Sequence, residues 1–565
     1  MPLRPRIVIT AGVVAVAAAV VFAGPGLAGH TLARPASLAA LAASPDGTSP
    51  PPGAGTRAAA AVRGYVPAQF IAKQYTEALG RIPDQAGWHS AATYFSQNGC
   101  SAASLAAWGE AIYTSAEYAG LGYGNAARLL TLYRGALNRE PDPGGYATWL
   151  QHLSSGTSWP AAVQAFFTSA EFAALVPEIC SGVVDGSGSS YYFGTQPALA
   201  VAAGDSGFTG SEPALQAELN SAAAGSTVTL AQRAVIPLTQ PLVIPAGVTL
   251  TTAGAPDPHH YANMARLVRA AGFPAPASPE GMVQVRQNAT LSHVWVDGAR
   301  DTPRNTAPLE DVMTFGSGTG VSGDRIGEPQ GPSSLYLLGG FDGYTCPAEQ
   351  VTGNLITAYS SDHYLTNDWA DGISDNCEGA TISGNQIVDA TDVGIVVYRN
   401  TPASPQHSVV SGNYVLSAGN SMYGGLGFDP LYNPDGATGV TLSFAGAAIR
   451  DNELWTGPDT HFDIGITDGS RAWYARAGAA HPADTGTGAS VTGNTTGSES
   501  ARVQTGIAVN GMVSTTVTGN TLTTSHIAAG TCPKLAFAAE SSLGYATGTL
   551  SPQPTNVTMD GCIGG

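Results

Sequence analysis

Gly353-Asn354-Leu355-Ile356 returns 31 residues later as Gly384-Asn385-Gln386-Ile387, and Cys346 returns over the same distance as Cys377. The signal recurs as Gly412-Asn413-Tyr414-Val415, Gly493-Asn494 and Gly519-Asn520-Thr521-Leu522. Gly323-Asp324-Arg325-Ile326 starts the series and Asp451-Asn452-Glu453-Leu454 fills a gap in it. A second strand signal accompanies the first: Gly372-Ile373, Gly394-Ile395, Gly425-Leu426, Gly465-Ile466 and Gly506-Ile507. Gly supplies a tight bend, Asn tolerates the left-handed conformation, and Asn side chains stacked in successive coils can bond to one another. Each period therefore reads as one coil of a parallel β-helix. The equal spacing puts Cys346 and Cys377 at equivalent places on neighbouring coils, where a strand spacing of about 4.8 Å lies within disulfide reach. Cys532 and Cys562 would lock the C-terminal end in the same way.

Outward from these coils, Thr227-Val228-Thr229-Leu230 and the run from Leu242 to Leu250 read as further short strands, and Ala214 to Asn220 as a helix capping the end of the core. The β domain is thus expected over residues 206–565, behind a linker at 181–205 that opens with a Gly/Ser-rich joint at 181–190. Residues 65–180 change to helical amphipathic runs and repeat internally. Tyr75, Leu79, Arg81, Pro83, Asp84 and Gly87 return as Tyr133, Leu137, Arg139, Pro141, Asp142 and Gly145, and Tyr113-Thr114-Ser115-Ala116-Glu117-Tyr118 returns as Phe167-Thr168-Ser169-Ala170-Glu171-Phe172. Two copies of one helical unit follow, with Asp84, Asp142, Ser115 and Ser169 as helix caps. Arg81 and Arg139 either pair with a neighbouring carboxylate or touch a ligand. Cys100 and Cys180 are expected to pair. Residues 29–64, rich in Ala, Pro, Gly and Ser, read as a linker. Arg4, Arg6, the apolar run Ile7 to Phe22 and the small residues ending at Ala28 read as a signal peptide over residues 1–28, an uncleaved anchor helix being the alternative.

Tyr133-x-x-x-Leu137-x-Arg139-x-Pro141-Asp142-x-x-Gly145 with Ser169-Ala170-Glu171-Phe172 resembles domain of unknown function 4214, a helical family of secreted bacterial proteins. The coil pattern resembles the right-handed parallel β-helix superfamily typified by pectate lyases. Together they imply a mainly β chain, a right-handed solenoid preceded by a small all-α domain, acting on a polysaccharide or a cell-envelope glycan.

Composition narrows the chemistry. A net charge of -18 argues against a nucleic-acid partner unless a divalent cation bridges the two. Lys73 and Lys534 are the two lysines, so a cationic catalytic group would be an Arg, a His or Lys534. Six cysteines without a Cys-x-x-Cys arrangement fit disulfides of an exported, extracellular or cell-surface protein rather than a metal-thiolate site. No membrane span is expected once the signal is removed, and the chain is expected to be a monomer.

The densest acids lie in Asp362-His363-Tyr364-Leu365-Thr366-Asn367-Asp368-Trp369-Ala370-Asp371 and in Asp389-Ala390-Thr391-Asp392, an Asp-x-x-Asp pair appearing twice. If Asp371 and Asp392 are equivalent, their carboxylates stand about one strand spacing apart. Either one proton is shared, giving a general acid and a base, or a cation such as Ca2+ sits among Asp368, Asp371, Asp389 and Asp392. The alternative is a turn cap, because Asp463-Ile464-Gly465-Ile466 repeats the pattern. Turn capping does not require Asp368 and Asp389, which makes them the better functional candidates. His363 is a further candidate base. Long loops carry Tyr398, Phe428, Tyr432 and Trp473, aromatics that either line a sugar-stacking groove or pin the loops.

By resemblance, Ca2+-dependent lyases pair an acidic metal site with an Arg or Lys that takes the proton α to a uronate carboxylate, a role Arg399 could fill. Phe428-Asp429-Pro430 resembles the motif of mannuronan epimerases, with Leu431 where their His stands. The Asp pairs resemble those of polygalacturonase-like hydrolases, without their His-Gly and Arg-x-Lys elements. A polysaccharide lyase is favoured slightly over a glycoside hydrolase. The alternative is a non-catalytic adhesion rod whose helical repeats attach it to an envelope.

Overall fold

The structure, a computed structural model, describes residues 65–180, 207, 209–274, 281–299, 309–329, 331–339, 345–357, 370–390, 392–399, 404–419, 422–430, 440–458, 460–469, 485–496, 503–509, 512–522 and 555–557. The expected signal peptide, both linkers, Cys532 and Cys562 lie outside these residues.

One coil shows how the solenoid is made. Glu349–Thr352, Leu355–Thr357 and Asp371–Asp375 run in succession before Ala380–Ser383 begins the next turn, directly beside Glu349–Thr352. Among the described residues this path stacks strands into parallel sheets of eleven, eight and nine members, with a short three-stranded sheet at one side. The result is a right-handed parallel β-helix. Val351, Ile356 and Ile373 of one coil and Ile382, Ile387 and Ile395 of the next fill its interior. The helix Glu212–Ser221 closes the first coil: Leu215 and Leu219 join the interior, and Gln216 bonds both the N–H and the C=O of Val243 on the outermost strand of the nine-stranded sheet. An edge that would otherwise accept another strand is thereby covered.

The Gly-Asn signal is the corner between the first two strands of each coil. Gly323, Gly353, Gly384, Gly412, Gly493 and Gly519 take φ between 63 and 68° there, and Asp451 takes 56°. The left-handed residue is thus the Gly and not, as expected, the Asn. The Asn side chains form a buried ladder instead. Asn354, Asn385, Asn413, Asn452 and Asn494 each donate from the side-chain amide to the Asn of the following coil, ending at Asn520. In the middle of it, Asn413 accepts from the Asn385 backbone and side chain and donates to Ile382 O and Asn452. Asn413→Ala leaves buried backbone groups unpaired and is expected to lower unfolding free energy by about 3 kcal/mol. A denaturant midpoint shifted at unchanged slope checks this.

Two disulfides join expected pairs, Cys346–Cys377 with Cα atoms 5.0 Å apart and Cys100–Cys180 with Cα atoms 5.5 Å apart. The helical repeat is also present. Asp84 and Asp142 cap helices Gln85–Asn98 and Pro143–Ser154, and Ser115 and Ser169 cap Ala116–Gly120 and Ala170–Ile179. Arg81 grips Glu117, and at the repeated position Arg139 grips Glu171. The carboxylate reading of both arginines therefore holds. Among the described residues no helix is long and apolar enough to cross a membrane.

This helical unit lies against the outer face of the eight-stranded sheet. Parallel register lines up Arg266, Trp295, Arg325, Leu355, Gln386, Tyr414 and Glu453 across that face. Leu355, Val388, Leu416 and Trp455 are buried in the same apolar cluster as Phe70, Leu129 and Tyr133 of the helices. At the centre is a buried polar knot. Glu77, on the π-helical turn Tyr75–Leu79, takes Arg325 at 2.6 Å and the hydroxyl of Tyr261, while Glu140 takes Arg134 at 2.7 Å and Arg266 at 2.8 Å. Asp257-Pro258-His259-His260, metal-like in sequence, belongs to this contact: His259 Nδ1 meets Leu79 O, and Asp257 caps its own turn through His260.

Candidate functional site

Candidate acids gather on the outside of the nine-stranded sheet, where the described strand residues are almost all buried. Its geometry follows from the Gly-Ile signal. A Cβ on Gly372 would stand 2.7 Å from Ile387 Cγ2, and one on Gly394 would stand 2.7 Å from Val415 Cγ1, so both glycines turn inward against the neighbouring sheet. The residue before each, Asp371 or Val393, turns outward. Register aligns Asp371 with Ser333, and continuity of the flanking pairs extends that row to Glu310 on one side and Val393 on the other. Two outer apolar clusters, separate from the interior, flank the row: Val393, Val396, Tyr423, Ile464 and Ala508, and Met313, Phe315, Tyr336 and Leu338. Tyr398 packs against both.

Asp371 is the best-held acid on this face. Its Oδ1 accepts from the Val393 N–H at 3.0 Å, and its Oδ2 accepts from the Ser374 hydroxyl at 2.7 Å and the Tyr398 hydroxyl at 3.0 Å. Ser333 in turn lies 2.6 Å from Ser374. Burial, and after it the negative charge of Asp392, push the Asp371 carboxyl well above the usual range. Tyr398 is the half-buried residue of an otherwise buried strand, Val393–Arg399. Its phenol is likewise pushed up, by burial and by Asp371, and Asp429 stands opposite it in register. Glu310 is fully buried, keeps Oε1 without a hydrogen-bond partner and is raised to about 8 by desolvation. Arg286 lies 4.1 Å over the Phe315 ring at the far edge. Carboxyls, aromatic faces and one arginine thus share one surface.

The sequence candidates separate on this frame. Asp371 and Asp392 are near neighbours but not equivalents: Asp371 aligns with Val393, and the Asp392 N–H bonds Ala370 O. The recurring Asp precedes its Gly by one residue in the first coil and by two in the second. Asp389, expected to be functional beyond turn capping, is a turn cap. It sits at φ 56°, fully buried, with its carboxylate on the N–H groups of Ala418 and Gly419, where Gln69 of the helical unit also binds. The Asp389 carboxylate is thus engaged by main-chain groups at a corner of the eight-stranded sheet.

Arg399 lies six residues beyond Val393, roughly 20 Å along the strand, and is fully buried. It donates to Ser404 O and Ser404 Oγ, to Asn376 O and to Glu378. Phe428 is an interior residue packed edge-on against Phe444 at 5.6 Å, with no face toward the groove. His363, Asp368, Tyr432 and Trp473 lie outside the described residues. Glu310, Ser333, Tyr336 and Ser374 were missed. The usable signal was Glu310-Asp311 opening the apolar run Val312-Met313-Thr314-Phe315, two acids where a buried strand begins.

Comparison with known proteins adds the following. Residues 109–176 match the family model described as a domain of unknown function, DUF4214. No curated protein matches the chain. Among solved structures, an endo-xylogalacturonan hydrolase from Aspergillus tubingensis is 14% identical, with 56% of this chain and 82% of that one covered at a TM-score of 0.38. An alginate lyase from a Paenibacillus species is 13% identical, covering 55% and 93% at 0.26. The tailspike protein of an E. coli bacteriophage, solved with a pentasaccharide, is 12% identical, covering 55% and 68% at 0.28. At such identities and scores nothing about substrate or chemistry is carried over from these proteins.

Proposed function

We propose that the chain is a secreted, monomeric, carbohydrate-acting β-helix protein that hydrolyses glycosidic bonds in the groove on the nine-stranded sheet, with Asp371 as the proton donor. The observation that carries this reading is a buried, hydrogen-bonded carboxyl pushed well above its usual range beside a second acid. The Val393 N–H fixes one Asp371 oxygen, Ser374 and Tyr398 orient the other, and Asp392 supplies the neighbouring negative charge. A carboxylic acid so placed can protonate the leaving oxygen of a glycoside while its partner carboxylate draws a proton from water. Tyr398, the half-buried residue of its strand, offers a face to a sugar ring, and Arg286 offers a charge to a uronate. A signal-like N-terminus and two disulfides favour export.

Hydrolysis is now preferred to elimination. The arginine that a lyase would use as its base, Arg399, is sealed away by Glu378, Ser404 and Asn376, whereas the acid pair that hydrolysis uses stands together. Ca2+ between Asp371 and Asp392 is the other way to balance that pair, and it would ionise Asp371 and remove the proton donor. Calcium is therefore expected to suppress turnover.

The test is a panel of uronic-acid and neutral polysaccharides, with and without calcium, followed by reducing ends and by unsaturated-product absorbance. New reducing ends are expected, reduced at least about 100-fold in Asp371→Asn and about tenfold in Tyr398→Phe. Unsaturated product would replace hydrolysis with elimination. Silence in both readouts would leave the adhesion rod as the function.

A further inference from the structure

Inside the solenoid, at the corner where the nine-stranded sheet hands over to the eleven-stranded one, several oxygen atoms lack partners. Thr314, Leu337, Asp375 and Val397 occupy one register row. Leu337 and Val397 belong to the apolar interior, so the row points inward. On the facing sheet Glu349 lies opposite Thr319 by continuity with the Gln350–Gly320 pair, and Val351, two residues on, is interior. Glu349, Asp375, Thr314 and Thr319 are all 0% exposed. Both oxygens of Glu349, Oδ2 of Asp375 and the hydroxyls of Thr314 and Thr319 lack a well-formed hydrogen bond, while Asp375 Oδ1 takes the Cys377 N–H at 2.8 Å and Ser408 stands near enough to act on the Asp375 carboxyl. Thr314, the Thr319 main chain and the charge of Asp375 all act on the Glu349 carboxyl, which is raised to about 9 by its burial.

An unpaired carboxyl in an apolar core costs several kcal/mol as an ion. The nearby Arg399 makes its ion pair with Glu378, so Glu349 and Asp375 have no cation of their own among the described residues. Cys346 and Cys377 each place a sulfur within 4.8 Å of a Glu349 oxygen, but they are joined as a disulfide and offer no thiolate. The donor set is oxygen only, and it suits a hard cation. Thr314 and Asp375 are two strands apart, roughly 10 Å between Cα atoms, leaving room for side chains to converge on an ion with bonds of about 2.4 Å. Mg2+ would demand an octahedral shell and keep its waters, which a closed apolar corner does not supply.

We propose that this corner holds a structural Ca2+ ion, ligated by Glu349, Asp375, Thr314 and Thr319 and taken up as the coils close. The site is distinct from the groove and independent of the proposed hydrolysis.

The test is the calcium content of the purified full chain, followed by unfolding in chelator and refolding with and without calcium. Near one Ca2+ per chain is expected in the parent and in Asp371→Asn, and none in Glu349→Gln. In the Asp371→Asn background, which removes the groove's own response to calcium, refolding should need calcium and the melting temperature should rise with it, and adding Glu349→Gln should abolish both effects. Should Glu349→Gln fail to fold, Thr319→Val keeps both charges and is expected to bind calcium at least about tenfold more weakly. A parent that purifies without metal and refolds equally in chelator overturns the proposal. So does a calcium content unchanged by Glu349→Gln or an affinity unchanged by Thr319→Val.

Discussion

Glu77→Ala should lose about 3 to 5 kcal/mol of unfolding free energy, whereas Glu117→Ala should lose under about 1 kcal/mol. Both remove a carboxylate from an arginine. They differ in where the arginine is left. Arg81, the partner of Glu117, is 18% exposed and can return to water with Glu117 itself at 48%. Arg325 and Glu77 are each 6% exposed, between the helical unit and the eight-stranded sheet, with the guanidinium 4.1 Å over Tyr261 and 4.7 Å over Trp295. Arg325 and the charge of Lys73 hold the Glu77 carboxyl down at about 2 despite its burial, so removing it takes from Arg325 its carboxylate partner where little water can replace it. The apolar pair Glu77→Leu with Arg325→Met should recover most of the loss, since the cost lies in the unpaired charge and not in the missing bridge. Denaturant midpoints of the single, double and control variants settle the comparison. If Glu77→Ala were no worse than Glu117→Ala, the two parts would not be joined through this knot.

The same contact revises the expected role of the helical repeats. The adhesion-rod alternative has them attach the rod to an envelope, and the described contact shows that they also brace the rod itself. Nothing in the local pattern of Arg266, Trp295 and Arg325 could have shown this. Each reads as an ordinary strand residue, and its partners are Glu140 and Glu77, the latter 248 positions away from Arg325. The solenoid was legible because its devices repeat: a Gly that must bend, an Asn that must find another Asn, and cysteines one coil apart. The helix caps were legible because capping is local. The groove was legible only as an acid-rich region. Choosing among its acids requires knowing which side of the sheet each faces, and one residue of register reverses that. Asp371 and Asp392 differ by that one residue, Asp389 proved to be a corner, and Glu310 entered the site through strand pairing alone. Asp375 and Glu349 were equally hidden, since alternation does not tell an interior oxygen from an exterior one.

Stability should fall as pH rises from about 5 to 9, and the buried acids of the solenoid set the sign. Burial raises Glu310 to about 8 and Asp468 to about 7, and lifts Asp311, Asp324 and Asp371 well above their usual range. In the unfolded chain these groups ionise near 4. Between that value and the raised one the folded state holds more protons than the unfolded state, so unfolding free energy decreases with pH. Glu77 and Glu140 act oppositely, being held down by their arginines, and their contribution is lost only as pH drops below about 4. The optimum should therefore sit near pH 4 to 5, with a total decline toward pH 9 on the order of several kcal/mol. Asp468 offers a check on a single group. Its Oδ2 accepts from the Thr515 hydroxyl at 2.6 Å and its Oδ1 has no partner, so Asp468→Asn should raise the melting temperature at pH 9 and change little at pH 5. Glu349 and Asp375, raised to about 9 and about 7, add to the decline in chelator. Loaded with calcium they would be ionised at every pH in the window, and the curve should be shallower. A melting temperature that climbs from pH 5 to 9 in chelator would mean that these carboxyls reach water, and with it the packing of the interior described above would have to be wrong.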